Sequence, residues 1–428
     1  MRTNLINSYK KNTFVNYKLL VMPFQLGFLS ALKINFFGEI YLGEIIFMVF
    51  LLSKFPRLNF PKQELSLFFF AMLWASAQFV SDVNNGTQVN YALKGIFTPI
   101  FFIFTFLGFF SYFKKRFNRF PSFILGASFG ALAQLLIFGG NAYFEDNMWK
   151  WGLGGELLSI VVIYLSFFVR GPKKLLIFLV VFSFGVVSVI NSARSLAFLP
   201  IISSILFLIF HGNKQYSVIR WLKRGVTGLK LLIIVILSII VMNGATTALF
   251  SSDRFLENFS EDVALKYKTQ AAGKYGMLLG GRPELLASVK AFLDKPFLGH
   301  GSWAMDKEFY YTDMINELKL ELGYENIRAD YSKIKLVPAH SFLTGSVVWA
   351  GIFGGLFWLV LINKVLKIFI LNINVLPIYF YTGVIFFVWD FLFSPFMAIT
   401  RWHTALFLAT FFLYSYLLNT NQGVKKYK

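Results

Sequence analysis

The chain has 428 residues, of which 57% are hydrophobic, 19% aromatic and only 14% charged. A soluble protein would carry about 25% charged residues, so the composition excludes a soluble globular fold. The chain has no cysteine, which excludes disulfides, thiolate chemistry and cysteine-ligated metals. Its apolar runs approach the ~20 residues that cross a bilayer as a helix. We therefore predict an all-α polytopic membrane protein.

Twelve apolar segments predict transmembrane helices, with the large polar connection falling after the ninth. The predicted spans are 19–36, 38–53, 65–80, 95–113, 122–140, 153–169, 174–191, 194–210, 229–250, 341–362, 375–394 and 402–419. No small-residue cleavage site follows the first apolar run, so we expect an uncleaved first helix.

The basic residues are divided unevenly between the two predicted sides of the membrane. The tails and alternate connections carry 24 Lys and Arg residues, whereas the short connections on the other side carry five. Those five are Lys33, Lys94, Lys150, Arg194 and Arg401. By the positive-inside rule, both termini are cytoplasmic. The net charge of +20 is therefore a topology signal, and we expect no nucleic-acid partner.

The long connection divides the chain into three parts. Residues 1–250 hold nine predicted helices, 251–339 form an external, periplasmic loop subdomain, and 340–428 hold three helices and a cytoplasmic tail. In the loop, apolar residues recur on one helical face between Pro283 and Pro296, which predicts an amphipathic helix lying in the outer headgroup layer. That face consists of Leu285, Leu286, Val289, Phe292 and Leu293. A second loop helix is predicted around 306–322.

Several ionisable residues fall near the predicted outer face, where charged groups are costly and need a partner or a function. They are Glu156, Arg194, Arg282, His300, His340, Asp390, Arg401 and His403. An ion pair between Asp390 and Arg401 is the structural interpretation of those two residues. The flanking glycines of His300 predict a tight turn, although this histidine could also contact a substrate.

His340 stands where the polar loop meets an apolar helix. It could simply cap that helix, or a neutral imidazole there could accept a proton from a sugar hydroxyl. Gly351 and Gly354 lie roughly three and four turns further on, on the same face. Small residues let another helix approach closely, which would fix the top of this helix and the imidazole.

Arg194 and Arg282 could each hold a phosphate through a planar guanidinium. Arg282 begins the amphipathic helix, whose free N–H groups also favour an anion. The alternatives are an ion-paired or snorkelling Arg194 and a solvated Arg282. No nucleotide-sugar metal motif, zinc-protease motif, nucleophile elbow or Walker loop is present in the sequence.

Three motifs together resemble the bacterial O-antigen ligase and polymerase family, which includes related oligosaccharyltransferases. His340-Ser341, nine residues, then Gly351-Ile352-Phe353-Gly354 fits the family's H-[N/S/Q]-x9-G-x-x-G pattern. The segment from Arg282 to Gly301 is similar to its R…P-L-G-x-G element, and 191–195 to its S-R element. The family often has Asn where this chain has Ser341.

The resemblance implies a GT-C-type membrane glycosyltransferase that acts without metal or other cofactor on an undecaprenyl-diphosphate-linked glycan. The acceptor would be a hydroxyl of a glycan, of lipid A-core or of another molecule. His340 would be catalytic, Arg194 and Arg282 would bind the donor diphosphate, and His300 and Arg401 are further substrate-binding candidates. The enzyme would lie in the bacterial cytoplasmic membrane with its active face outside.

Alternatives within the family and from another class remain open from the sequence. A polymerase of the same family would join repeat units, and a protein-glycan transferase would use a protein acceptor; the motifs are shared by all three activities. A polysaccharide transporter or lipid flippase is the alternative of another class. Transporters usually show repeated halves and broken midplane helices, which this sequence does not indicate.

Overall fold

The structure is a computed structural model that describes residues 20–35, 38–54, 60–139, 144–169, 171–191, 193–212, 244, 247–248, 250–257, 261–272, 282–321 and 335–426. Most of these residues are helical, and one short antiparallel hairpin pairs β1 (Lys33–Asn35) with β2 (Glu39–Tyr41). The predicted ninth span, 229–250, lies almost entirely outside the described residues.

The described helices follow the predicted apolar segments closely. The first eight are α1 Val21–Ser30, α2 Leu42–Lys54, α3 Lys62–Asn84, α4 Val89–Lys114, α5 Phe120–Phe138, α6 Gly154–Phe167, α7 Lys174–Ile190 and α8 Arg194–Phe210. The polar connection contributes α9 Asp253–Leu256, α10 Glu261–Ala272, α11 Pro283–Asp294 and α12 Tyr310–Glu321. The last three are α13 Phe342–Asn372, α14 Ile378–Phe393 and α15 Ala398–Lys426.

Length and composition identify five helical stretches of the described chain as candidate membrane crossings. They are Glu64–Asn84, Val89–Lys114, Phe117–Phe138, Trp149–Phe167 and Phe342–Asn372. Four further apolar helices are shorter, namely Val21–Ser30, Lys174–Ile190, Arg194–Phe210 and Ile378–Phe393. The prediction of a helical membrane protein is thus confirmed, while these criteria give five crossings and not twelve.

The first predicted span differs most from the structure. Helix α1 ends at Ser30, and the chain then turns into the β1–β2 hairpin, where 19–36 was predicted to be one helix. The turn is held from outside the segment, because the Lys33 backbone N–H donates to Gln134 Oε1 at 2.7 Å. Such a long-range bond cannot be read from local hydropathy.

Hydrogen bonds near the helix ends distinguish the two ends of the helix bundle. At one end, the Ser81 hydroxyl donates to the carbonyl of Trp349, near His340; we call this the His340 end. At the opposite end, the Leu20 N–H donates to Ser122 Oγ at 3.0 Å, and His211 Nδ1 lies 2.9 Å from the Leu376 carbonyl oxygen.

Helix α13 is broken at Gly351. This residue has φ 64° and ψ −164°, a combination that is open essentially only to glycine. The break separates a short helical segment, 342–350, from the longer remainder of α13. A loop formed by 296–301 enters the break, and three backbone hydrogen bonds join them: His300 N to Val348 O, Gly301 N to Trp349 O, and Ile352 N to Pro296 O.

This arrangement corrects the predicted role of the glycines in the His340 motif. They were expected to let a second helix pack against an unbroken one, but at Gly351 the close neighbour is the loop. A Cβ added at Gly351 would overlap the Phe297 carbonyl oxygen, and one added at Gly299 would lie 2.6 Å from the Trp349 carbonyl oxygen. The two sequence motifs therefore form one backbone unit.

The amphipathic helix α11 packs through a face that was not predicted. Its buried residues are Pro283, Ala287, Ser288 and Ala291, and this small-residue face lies against α13. Of the predicted apolar face, Val289 and Leu293 are 45% and 63% exposed. Small side chains allow the close approach to α13, so Val289 and Leu293 are left on the outer surface. The other three residues of the predicted face, Leu285, Leu286 and Phe292, are half-buried.

The break makes a testable demand on Gly351. Replacing Gly351 by Ala imposes a backbone strain of about 1–3 kcal/mol, besides the overlap with Phe297. We expect the thermal denaturation midpoint in detergent to fall and the folded yield to drop. Gly345→Ala, in the same short segment, is the matched control, because its added Cβ meets only Ala339 at 3.8 Å. Equal stability of the two variants would contradict this account of the break.

Candidate functional site

Three of the predicted site residues lie at the beginnings of helices at the His340 end. Arg194 is the first residue of α8, Arg282 directly precedes α11, and His340 stands two residues before α13. Ser341 caps α13: its hydroxyl accepts the Thr344 N–H at 2.9 Å, and the Thr344 hydroxyl accepts the Ser341 N–H at 3.1 Å. This reciprocal capping fixes the backbone next to His340.

Arg282 is held by the end of α14. One guanidinium nitrogen donates to the Phe393 carbonyl, and the guanidinium carbon lies 5.0 Å from the Trp389 ring centroid. Burial, and then the positive charge of Arg194, lower the pKa of Arg282 to about 10, while Glu284 and Asp390 act in the opposite direction. Arg282 stays charged at neutral pH. It lies within electrostatic reach of Arg194, the other residue that is predicted to bind the diphosphate.

His340 belongs to the same group of charges. Burial is the main cause that lowers its pKa below the ordinary value; the Arg282 charge also lowers it, and Glu284 raises it. Its backbone N–H lies 3.4 Å from Ser288 Oγ of α11. A neutral imidazole is the form that can accept a proton.

Arg194 completes the group from a different part of the chain. Its guanidinium carbon lies 5.1 Å from the ring centroid of Tyr267 in α10. Arg282 thus couples to both Arg194 and His340, although the three are separated by long stretches of sequence. Arg282 therefore has a second guanidinium group and an imidazole within electrostatic reach, which suits an anion beside a hydroxyl that must lose a proton.

His300 occupies a structural position in the loop. Gly299 and Gly301 have φ values of 73° and 86°, so the predicted tight turn is present. The imidazole Nε2 lies 2.8 Å from the Ala291 carbonyl oxygen and 3.5 Å from the Tyr311 hydroxyl. Burial lowers the pKa of His300, so the neutral ring donates Nε2–H to Ala291. Contact of His300 with a substrate stays a prediction.

Arg401 pairs with Glu44, not with Asp390 as predicted. Its Nε and Nη2 lie 2.6 and 2.8 Å from the two Glu44 carboxylate oxygens, and Nη2 also donates to the Glu39 carbonyl at 3.1 Å. The Arg401 and Glu44 side chains are 8% and 0% exposed. Because its donors are used in this buried fork, Arg401 ties the hairpin to α15. The sequence prediction missed the partner, which is 357 positions away.

Other polar residues at the same end were undervalued from the sequence. Asp390 acts electrostatically on Arg282. Glu156 is buried at the start of α6 and lies 3.6 Å from His403 Nε2. Asp82, in the last turn of α3, is 3% exposed and was not singled out at all. An acidic residue at the end of an apolar run is the signal that could have identified Asp82.

Among the described residues, no group of three or more His, Asp or Glu side chains is arranged to hold a metal ion. Comparison with family models, with curated proteins and with solved structures finds no match to this chain.

The charges around His340 predict its titration. Diethyl pyrocarbonate modifies neutral imidazole, so mass spectrometry of the His340 peptide across pH would follow the histidine itself. We expect half-maximal reactivity below pH ~6.5, the ordinary value, because burial disfavours the protonated ring. Arg282→Gln removes a positive charge and should move the midpoint up; Glu284→Gln should move it down. A midpoint at or above the ordinary value, or shifts of the same sign, would contradict the arrangement.

Proposed function

We propose that the chain is an O-antigen ligase-like membrane glycosyltransferase that moves a glycan from undecaprenyl diphosphate to an acceptor hydroxyl. The observation that carries the proposal is that Arg282 lies within electrostatic reach of both Arg194 and His340, although the three are far apart in the sequence. These are the residues to which the family resemblance gives the diphosphate-binding and catalytic roles. Neither the resemblance nor the geometry depends on the other, so their agreement supports the assignment.

The chemistry fits the charges. Departure of a lipid diphosphate develops negative charge, and preorganised guanidinium groups stabilise such charge in a site shielded from water. His340 would accept the proton of the attacking hydroxyl, so that the new glycosidic bond forms as the sugar–phosphate bond breaks and the diphosphate leaves as the anion. The arginines would supply the charge stabilisation that a metal supplies in other transferases. A polymerase would use the same site, since it differs in its acceptor.

The broken helix α13 is the feature that could favour a transporter. In transporters, unwound helices expose backbone groups to a substrate or ion at the bilayer midplane. In this chain, Val348 O, Trp349 O and Ile352 N at the break are bonded to the 296–301 loop. The break therefore serves the join between loop and helix, which favours the transferase.

We also propose twelve crossings with both termini in the cytoplasm and the His340 end outside. In the described chain, hydrogen bonds join connections to helix ends that this topology puts on the same side, such as Lys33 to Gln134 and His211 to Leu376. His211 lies at the opposite end, whereas Phe250 packs with Phe198 in the first turns of α8, at the His340 end. A ninth crossing between them would account for this change of end. The 24-to-5 distribution of Lys and Arg gives the direction.

The topology can be tested by fusing a periplasm-active reporter at Asn316 or at Lys426. We expect activity at Asn316 and none at Lys426, because the loop is external and the tail is cytoplasmic. The reverse pattern would place the candidate site in the cytoplasm and remove the basis of the proposed reaction.

The transfer reaction can be tested with purified protein, a lipid-diphosphate glycan and a hydroxyl acceptor in excess EDTA. Arg194→Lys and Arg282→Lys keep a charge but lose the planar fork, and we expect turnover to fall about 30- to 1000-fold. His340→Ala should retain donor binding and lose about 10²- to 10⁴-fold in single-turnover rate.

Arg401→Lys is the comparison variant. It should lower thermal stability by loosening the pair with Glu44, while the folded fraction keeps its affinity for donor. If His340→Ala abolishes donor binding while both Arg194→Lys and Arg282→Lys turn over normally, the assigned roles are wrong. Loss of all turnover in EDTA, restored by Mg²⁺ or Mn²⁺, would contradict the metal-independent mechanism.

A further inference from the structure

The last turn of α3 holds the loop that fills the break in α13. The buried Asp82 carboxylate accepts two hydrogen bonds from Ser302: one from its backbone N–H at 2.6 Å and one from its hydroxyl at 2.8 Å. Gln78, one turn earlier, donates to the Ser302 hydroxyl at 2.8 Å. Ser302 follows directly after Gly301, the last residue of the loop.

The same turn of α3 also forms a hydrogen bond to the backbone at the break. The Ser81 hydroxyl donates to the Trp349 carbonyl at 2.7 Å. Asn85 donates to the Gly299 carbonyl at 3.2 Å and accepts a hydrogen bond from the Lys295 ammonium group at 2.8 Å. One helix end therefore bonds both to the loop and to the backbone that the loop enters.

The loop and the break, which this turn of α3 contacts, are both connected along the chain to residues of the candidate site. The loop begins just after α11, whose first turn follows Arg282. The break ends the short segment 342–350, whose other end follows His340. A displacement of the loop would therefore move the supports of Arg282 and of His340 together.

We propose that Asp82 is a positioning residue for the candidate site. It acts through Ser302 to hold the 296–301 loop in the break at Gly351. Its effect on catalysis rests on the proposed function, whereas its effect on the loop does not. A displacement of about 1 Å can cost on the order of 10²-fold in rate. We therefore expect Asp82→Ala to lower turnover 10- to 100-fold at saturating donor.

The chain offers a matched control in Asp306. This carboxylate is 4% exposed against 3% for Asp82, and it likewise accepts a backbone N–H and a hydroxyl from one residue, Thr312, both at 2.8 Å. It caps α12, and its side chain does not bond to the 296–301 loop or to Ser302. Asp306→Ala removes an equivalent set of bonds, so it separates a general loss of stability from a loss of loop position.

The test uses the absence of cysteine from the chain. Spin labels on cysteines introduced at Phe297 and Val89, which are 70% and 74% exposed, report the distance from the loop to the start of α4. We expect one narrow distance distribution in the otherwise unchanged protein and in Asp306→Ala, and a broad one in Asp82→Ala. Asp82→Asn and Ser302→Ala each keep part of the bonding and should fall between. Diethyl pyrocarbonate should modify His340 several-fold faster in Asp82→Ala.

The outcomes are distinct. A narrow distribution with unchanged His340 reactivity in Asp82→Ala overturns the proposal, as does an equal loss of turnover in Asp306→Ala. If Asp82→Ala does not fold, Asp82→Asn and Ser302→Ala decide by the same two measurements. If the unsubstituted protein transfers no glycan, the proposed function fails, but the distance distributions and histidine reactivity still decide whether Asp82 holds the loop.

Discussion

The backbone hydrogen bonds between the 296–301 loop and the break at Gly351 are the constraint on which the His340 end depends. A helix cannot be broken in an apolar environment unless other groups satisfy the freed N–H and C=O. Here the loop and Ser81 supply those partners. Glycine is required on both sides of the join, since Gly299 and Gly301 turn the loop and Gly351 admits it.

The two arginines at the His340 end form a distribution of charge that is unfavourable by itself. Arg194 and Arg282 carry like charges within electrostatic reach, and Arg282 is substantially buried. Glu284 and Asp390 offset part of the repulsion, and the rings of Trp389 and Phe393 lie against the Arg282 guanidinium. Two guanidinium groups within electrostatic reach of each other suit the diphosphate of the proposed donor, whose negative charge would offset their mutual repulsion. Arg401 has a structural role instead, because its guanidinium forms a buried ion pair with Glu44.

The parts of this fold that depend on local composition could be predicted, and those that depend on distant partners could not. Hydropathy located the described helices, and Pro283 and Pro296 bracketed α11, which runs from Pro283 to Asp294. The hairpin at 33–41 and the Arg401–Glu44 pair depend on contacts across the chain, which no local pattern encodes. The spacing argument for Gly351 and Gly354 failed for another reason: it assumed a continuous helix, and the break removes the constant rotation per residue.

The break at Gly351 divides α13 into two parts that have different neighbours. The remainder of the helix packs in the aromatic core, where Trp358 lies 5.7 Å from Trp74 and 4.9 Å from Phe396 between ring centroids. The segment 342–350 is bonded to the loop and packs against α11. Its first residue, Phe342, also packs in the aromatic core, 4.9 Å from Trp358 between ring centroids. His340 is therefore positioned both by α11 of the polar connection and by the capped start of α13. Arg282 belongs to the same connection, so its backbone and that of His340 are both supported by α11, while the end of α14 separately holds the Arg282 guanidinium.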